Sequence, residues 1–326
     1  FTSAGSLAGD IIYKRGSADN KGHFEFGTGA GGGTRFVLDN DSRISLSNND
    51  SNTSNTVFGK SAFNQGGDVG ADFNVAIGEL AMGTGTLSNA TMNIAIGYKA
   101  MTDATTGDFN VIIGHLSGKD ITTGSNNIII GRETMQNSTG GENCIAIGSG
   151  VLQTINHTSN DGSVAIGKLA LSAKNLASGA QFAGATTAIG YKSLEALTSG
   201  VSNTAVGYQS GKAMTSNSHS TFIGYNAGQL VTGNNNTIIG SVAGDALTTG
   251  VANVALGTSA LGAATGAINY CVALGEGALA GSLTDAGDDP SGAVGVGYQS
   301  GVSLTAGKYS TFVGYQSGYS ANSVDG

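Results

Sequence analysis

Asn203-Thr204-Ala205-Val206-Gly207-Tyr208-Gln209-Ser210-Gly211 is the stretch that decides the fold, because the chain repeats it. Asn93-Ile94-Ala95-Ile96-Gly97-Tyr98-Lys99-Ala100-Met101 is a second version, and Asn253-Val254-Ala255-Leu256-Gly257-Thr258-Ser259-Ala260-Leu261 a third. The glycine inside the motif sets the register. It falls at Gly59, Gly78, Gly97, Gly114, Gly131, Gly148, Gly167, Gly190, Gly207, Gly224, Gly240, Gly257, Gly275, Gly297 and Gly314. Seven of the fourteen intervals are 17 residues long, and the rest run from 16 to 23. A period near 17 is that of a solenoid, in which each repeat is one coil that buries its apolar side against its neighbours.

The columns of the repeat carry the strand assignment. The residue before the glycine is always Ile, Val, Leu or Phe, and the residue three before is always Val, Ile or Thr. Both point to one face of a strand and suit its pleated surface. The residue between them points the other way, yet it too is apolar or small: Ala76, Ala95, Ile112, Ile129, Ala146, Phe222, Ile238, Phe312. A strand with one wet face alternates apolar and polar; this one does not. One face belongs to the coil interior, and the pattern holds no helix to cover the other. The simplest cover is another copy of the chain.

Asn stands four before the glycine in eight copies: Asn55, Asn74, Asn93, Asn110, Asn127, Asn203, Asn236 and Asn253. Two readings fit it. Stacked coils about 4.8 Å apart allow an Asn hydrogen-bond ladder, and Asn is also a common turn residue. After the glycine, the fourth residue is bulky (Met82, Met101, Leu194, Leu261) or Gly. Where it is Gly, a bulky residue usually follows three later, as at Ile121, Met214, Val231, Leu247 and Leu304. That is volume compensation in a filled interior. Pairs such as Thr106-Gly107, Thr123-Gly124, Thr249-Gly250 and Thr265-Gly266 then predict tight turns in which Gly supplies a positive φ. Each coil is expected to run strand, glycine bend, second short extended segment, turn.

The fold class expected is therefore all-β: a parallel β-solenoid or β-roll of about fifteen coils over residues 55–326, with residues 1–54 a small N-terminal β cap or adaptor. In that first region Ile11–Arg15, His23–Phe26, Arg35–Leu38 and Ser42–Ser47 read as short strands. The abrupt start at Phe1 and the end at Gly326 inside a coil lead us to expect a fragment or a matured product of a longer protein.

Composition narrows the function. The chain has 55 Gly and one Pro in 326 residues without a Gly-X-Y period, which excludes collagen. The net charge of −8, with no basic run, argues against nucleic acid as a partner. No apolar stretch approaches the roughly 20 residues of a membrane span. Cys144 and Cys271 both sit in the Asn column, seven coils apart, or roughly 34 Å at the strand spacing. A disulfide needs α-carbons within about 7 Å, so they do not pair within one chain and read as small buried residues, the alternative being links between copies.

Chemistry is sparse. Glu79 and Glu276 share a column but lie eleven coils apart, too far for the paired carboxylates of glycoside hydrolysis. Four histidines (His23, His115, His157, His219) show no metal-ligand spacing. The loop with Asp285, Asp288 and Asp289 matches no calcium motif. We expect no enzyme activity, no cofactor and no metal. One column offers a binding strip. The residue after the glycine is Tyr at Tyr98, Tyr191, Tyr208, Tyr225, Tyr298 and Tyr315. These rings are expected to form a ladder at a bend, able either to stack sugar rings or to pack along the coil edge.

The unit Asn-Thr-Ala-Val-Gly-Tyr-Gln-Ser-Gly resembles the head repeats of trimeric autotransporter adhesins, and more closely the related repeats in tail-fibre proteins of tailed phages. Thr34 to Asp50 is similar to segments that precede such repeats in phage fibres. The resemblance implies a homotrimer of parallel β-rolls with strands packed toward the trimer axis. It implies attachment to a host-cell glycan or protein, contact with other virion proteins through the N-terminal region, no membrane insertion, and a place in the virion. The alternatives are a bacterial surface adhesin head, a polysaccharide-degrading fibre and a plain structural spacer. The spacing here is nearer 17 than the shorter adhesin repeat, and the chain has neither a coiled-coil stalk nor a C-terminal chaperone segment.

Overall fold

The computed structural model describes residues 54–63, 70–153, 161–172, 185–283 and 291–320, together with four strands nearer the N-terminus. Those four, Asp10–Arg15, Gly22–Gly27, Thr34–Leu38 and Ile44–Ser45, pair antiparallel in sequence order. They match the expected strands, the last shortened to two residues. Asp285, Asp288, Asp289 and His157 lie outside the described residues.

From Thr56 to Val313 the chain is a β-solenoid. Fifteen three-residue strands form one parallel sheet in strict sequence order. Each strand is the triplet before a register glycine: Thr204–Val206 before Gly207, Thr221–Ile223 before Gly224. Equivalent residues pair without slippage, as Thr204 with Thr221, Ala205 with Phe222 and Val206 with Ile223. The middle residue points inward and is fully buried in thirteen coils, from Ala76 to Ala273 and at Gly295. The outer two residues are half-exposed. The interior is thus the middle column, and the β-branched columns line the outside.

The glycines allow this stacking. All fifteen register glycines have φ between 123 and 141°, a region essentially restricted to Gly. In fourteen of them a Cβ would also lie 2.1–2.9 Å from the carbonyl group of the next register glycine. Each glycine carbonyl occupies the place of its predecessor's missing side chain.

Two local expectations are corrected. The segment after the glycine is not extended: it is a run of turns, and among the described residues the only strand in each coil is the triplet. The second and fourth residues after the glycine have positive φ even where they are bulky, as at Lys99 (53°), Met101 (50°), Lys192 (56°) and Leu194 (49°). Alternating left-handed residues turn the chain back while their amides still bond the adjacent coil, as Lys99 N–H to Glu79 O and Met101 N–H to Ser117 O. The turn glycines also differ. Gly266 has the expected positive φ of 87°, but Gly107, Gly124 and Gly250 do not. They are needed because a Cβ would meet a carbonyl oxygen of the next coil at 2.3, 2.4 and 2.3 Å.

The Asn column is a ladder, and it also fastens the turns. The Asn93 Oδ1 accepts the backbone N–H of Asn110 at 3.0 Å and its side-chain Nδ2 at 3.0 Å. The Asn110 Nδ2 donates as well to Gly124 O at 2.8 Å, in the turn of the next coil. The pattern runs from Asn74 to Asn127 and again from Asn236 to Asn253. Each run ends at a cysteine, whose amide bonds the last Asn Oδ1. Both cysteines are buried. Ser163 and Thr186 occupy the same column, but their hydroxyls are too short to reach the turn and have no partner.

Interior volume is conserved between coils. Where the middle strand residue is Ala, the fourth residue after the glycine is usually Leu or Met: Ala95 with Met101, Ala188 with Leu194, Ala255 with Leu261. Where it is large, the partner is often Gly. A Cβ on Gly228 would lie 2.3 Å from the Phe222 ring, and one on Gly244 2.8 Å from Ile238. This pairing within a coil adds to the one expected three residues later.

Two outcomes follow. Gly314→Ala carries only backbone strain, about 1–3 kcal/mol, since the nearest atom to its Cβ is 4.0 Å away. Gly207→Ala adds a Cβ only 2.2 Å from Gly224 O and should lower the thermal midpoint by clearly more; equal losses would contradict the stacking account. Phe222→Ala opens a cavity costing about 3–5 kcal/mol, and Gly228→Leu alone collides with the ring. Combined, they recreate the Ala–Leu coil, so calorimetry should find the double variant more stable than the sum of the two losses predicts.

Candidate functional surface

In every coil the six positions from five before the glycine to the glycine itself hold no Asp, Glu, Lys or Arg. The outward sheet face is therefore uncharged along its length. It is most apolar in the early coils, with Val75, Ile77, Ile94, Ile96, Val111, Ile113, Ile128 and Ile130 half-exposed or exposed. Beside it, Phe73, Met92 and Phe109 on consecutive coils are 52, 49 and 53% exposed. All three have positive φ. Their position five before the glycine was not read as a column, although two aromatics and a Met at matching positions mark it.

Charge gathers at the bend after the glycine and at the turns. There the predicted tyrosine column is realised. Tyr191, Tyr208 and Tyr225 stack at 5.2 Å between centroids, tilted by 19 and 10°. Tyr298 stacks on Tyr315 at 5.3 Å. Tyr98 has no tyrosine neighbour; His115 of the next coil continues its stack at 5.3 Å, a partner that a search for tyrosine alone passes over. Since the rings lie on one another, the strip shows edges and hydroxyls, and a free ring face remains only at its ends. Tyr225 is such an end, 54% exposed, with Ser241 next in the column. Each stacked pair contributes about 0.5–1.5 kcal/mol.

Beside the middle strip runs a groove of about 590 Å³. Its polar lining is Ser172, Glu195, Lys212 and Gln229, and its apolar lining is Ala196, Ala213 and Leu230. All stand five or six after a register glycine on four successive coils. Side chains join strip to groove. The Lys192 ammonium lies 5.6 Å from the Tyr191 ring centroid and 3.0 Å from Glu195 Oε1. The Gln229 Nε2 donates to Gln209 Oε1 at 2.8 Å. The hydrogen bond to Glu195 raises the Lys192 pKa above 10.5. Asp245, on the coil after that of Gln229, has its pKa raised from the ordinary carboxylate value by burial.

Among the described residues no three His, Cys, Asp or Glu side chains come together as a metal site, and no helix is long and apolar enough to cross a membrane. No protein-family model, curated protein or solved structure matches the chain.

The Lys192–Glu195 pair gives a direct check. Its hydrogen bond favours the cation, so at the alkaline end the interaction fades as pH rises through the elevated Lys192 pKa. Glu195→Gln should let Lys192 titrate closer to 10.5, read by side-chain nitrogen NMR. An unchanged titration would mean that the pair is not formed in solution.

Proposed function

We propose that this chain is a length of virion fibre from a tailed phage: a rod in which three copies pack through their sheet faces and whose bends contact a host-cell surface. The observation that carries the reading is the uncharged outward face. Half-exposed Val and Ile columns run along it without a single charge, and contiguous apolar surface of this kind marks an interaction site. Its spacing is that of the coils, about 4.8 Å. A surface repeating at that distance is matched best by another with the same period, which a copy of the chain supplies. Fifteen strands at that spacing make a rod of roughly 70 Å.

The remaining features suit attachment. The tyrosine strips and the groove lie off the sheet face, so packing through that face leaves them available. Three copies would present the same strip three times, and multivalency raises avidity without new contacts. The N-terminal antiparallel strands would serve as the adaptor to other virion proteins.

Light scattering on the purified chain should give a mass near three times 32.2 kDa. Ile113→Lys would place three like charges on the shared face, and should yield a lower mass with the circular dichroism of the coils retained. A stable monomer of the unmodified chain would overturn the assembly. Failure of the labelled rod to adsorb to any of a panel of bacterial strains would overturn the attachment role.

A further inference from the structure

We infer that the groove beside Tyr191, Tyr208 and Tyr225 is a binding site for an anionic saccharide unit, with Lys212 as the group that receives its negative charge. The inference rests on the attachment reading for the class of ligand. The position and the charge preference come from the groove itself.

Three observations support it. The volume, about 590 Å³, lies within the range of small-molecule sites, about 300–1,000 Å³. The lining is divided as a sugar requires: Ala196, Ala213 and the 47%-exposed Leu230 offer an apolar surface for ring C–H groups, while Gln229, tied to Gln209 at 2.8 Å, brings amide donors and acceptors to hydroxyls.

The third observation is charge. Among the described residues Lys192 and Lys212 stand near the groove, in different situations. Lys192 is neutralised by Glu195 at 3.0 Å, which also answers the carboxylate of the groove. Lys212 lines the groove and makes no ion pair with any described residue. In a chain of net charge −8, a lysine left unpaired in a largely apolar groove presents its charge to a ligand. A carboxylated or otherwise anionic sugar completes the set: anion on Lys212, hydroxyls on the glutamine pair, ring face on the alanines and Leu230.

The test uses the whole chain on an array of oligosaccharides ending in uronate, sialate or a neutral hexose, with two variants. Lys212→Gln removes the proposed anion contact. Lys99→Gln removes a lysine from the same kind of bend several coils away, where it lies over Tyr98. Circular dichroism confirms that both variants fold. The expected result is retention of acidic probes over neutral ones, a loss of at least tenfold in Lys212→Gln, and no change in Lys99→Gln. Equal retention of acidic and neutral probes, no retention of acidic probes, or full retention by Lys212→Gln would each overturn the assignment. An acidic peptide bound through Lys212 in place of every acidic sugar would overturn it too. Cell adsorption separates this from the attachment reading. Adsorption unaffected by Lys212→Gln, with acidic probes ignored, sinks the groove and leaves attachment standing. Acidic probes held through Lys212 by a rod that adsorbs to no strain do the reverse.

Discussion

The structure depends on one close approach, that of each register glycine to the next. The coils stack at strand spacing only because the carbonyl of Gly224 can sit 2.2 Å from where a Gly207 side chain would begin. That approach sets the height of every coil. The strand pairings, the Asn ladder and the tyrosine stacks all inherit it. The positive φ of the same residue turns the chain out of the strand, so one residue both ends the strand and admits the next coil. Nothing else in the repeat is so fixed. The interior accepts Ala with Leu or Phe with Gly, because the requirement there is volume.

This explains what was legible in the sequence. The glycine register gave all fifteen strands and their pairing, since a parallel solenoid has no topology to choose once the period is known. The Asn column left two readings open, and both describe part of the outcome: Asn110 bonds Asn93 above the turn and fastens Gly124 within it. The post-glycine segment was misread as extended. The reason is physical: Met101 and Leu194 hold positive φ at full burial, against their intrinsic preference, because packing in the interior outweighs about 1–3 kcal/mol of backbone strain. Propensity alone does not disclose that. The turn glycines were assigned correctly as turns for a reason that holds only at Gly266; at Gly107 and Gly124 the constraint is a neighbouring coil, invisible to a local reading. The tyrosine strip was legible as a column, whereas the groove was not, because Glu195, Lys212 and Gln229 share no residue type.

A ladder also restricts which side chains can face outward. Any column of a solenoid places its residues about 5 Å apart, and two like charges at that distance repel by about 1 kcal/mol even in water. Repeated over many coils, a charged column would drive the rod apart. Residues that attract their own kind suit such columns: Asn bonds Asn, Tyr stacks on Tyr, Gln316 donates to Gln299, and Val and Ile pack on one another. The low charged content of 11% is thus a consequence of the fold. In the column after the glycine charges are broken up, as in the 3.8 Å pair of Lys60 with Glu79; where Asp103 and Asp120 adjoin in another column, Lys119 lies close enough to interact with both.

Lys212 obeys the same restriction. Glu195 precedes it in its column and Gln229 follows, so no like charge adjoins it. Glu195, the acid that could have neutralised it, is held by Lys192 from the bend. The column thus satisfies the ladder rule and still leaves one cation unpaired in a concave, mostly apolar surface. On the sheet face no coil carries a charge at all. The two surfaces therefore differ in what they can receive. The face suits an uncharged surface of equal period, and the bend, where charge can be alternated, suits a ligand that is polar and brings its own charge.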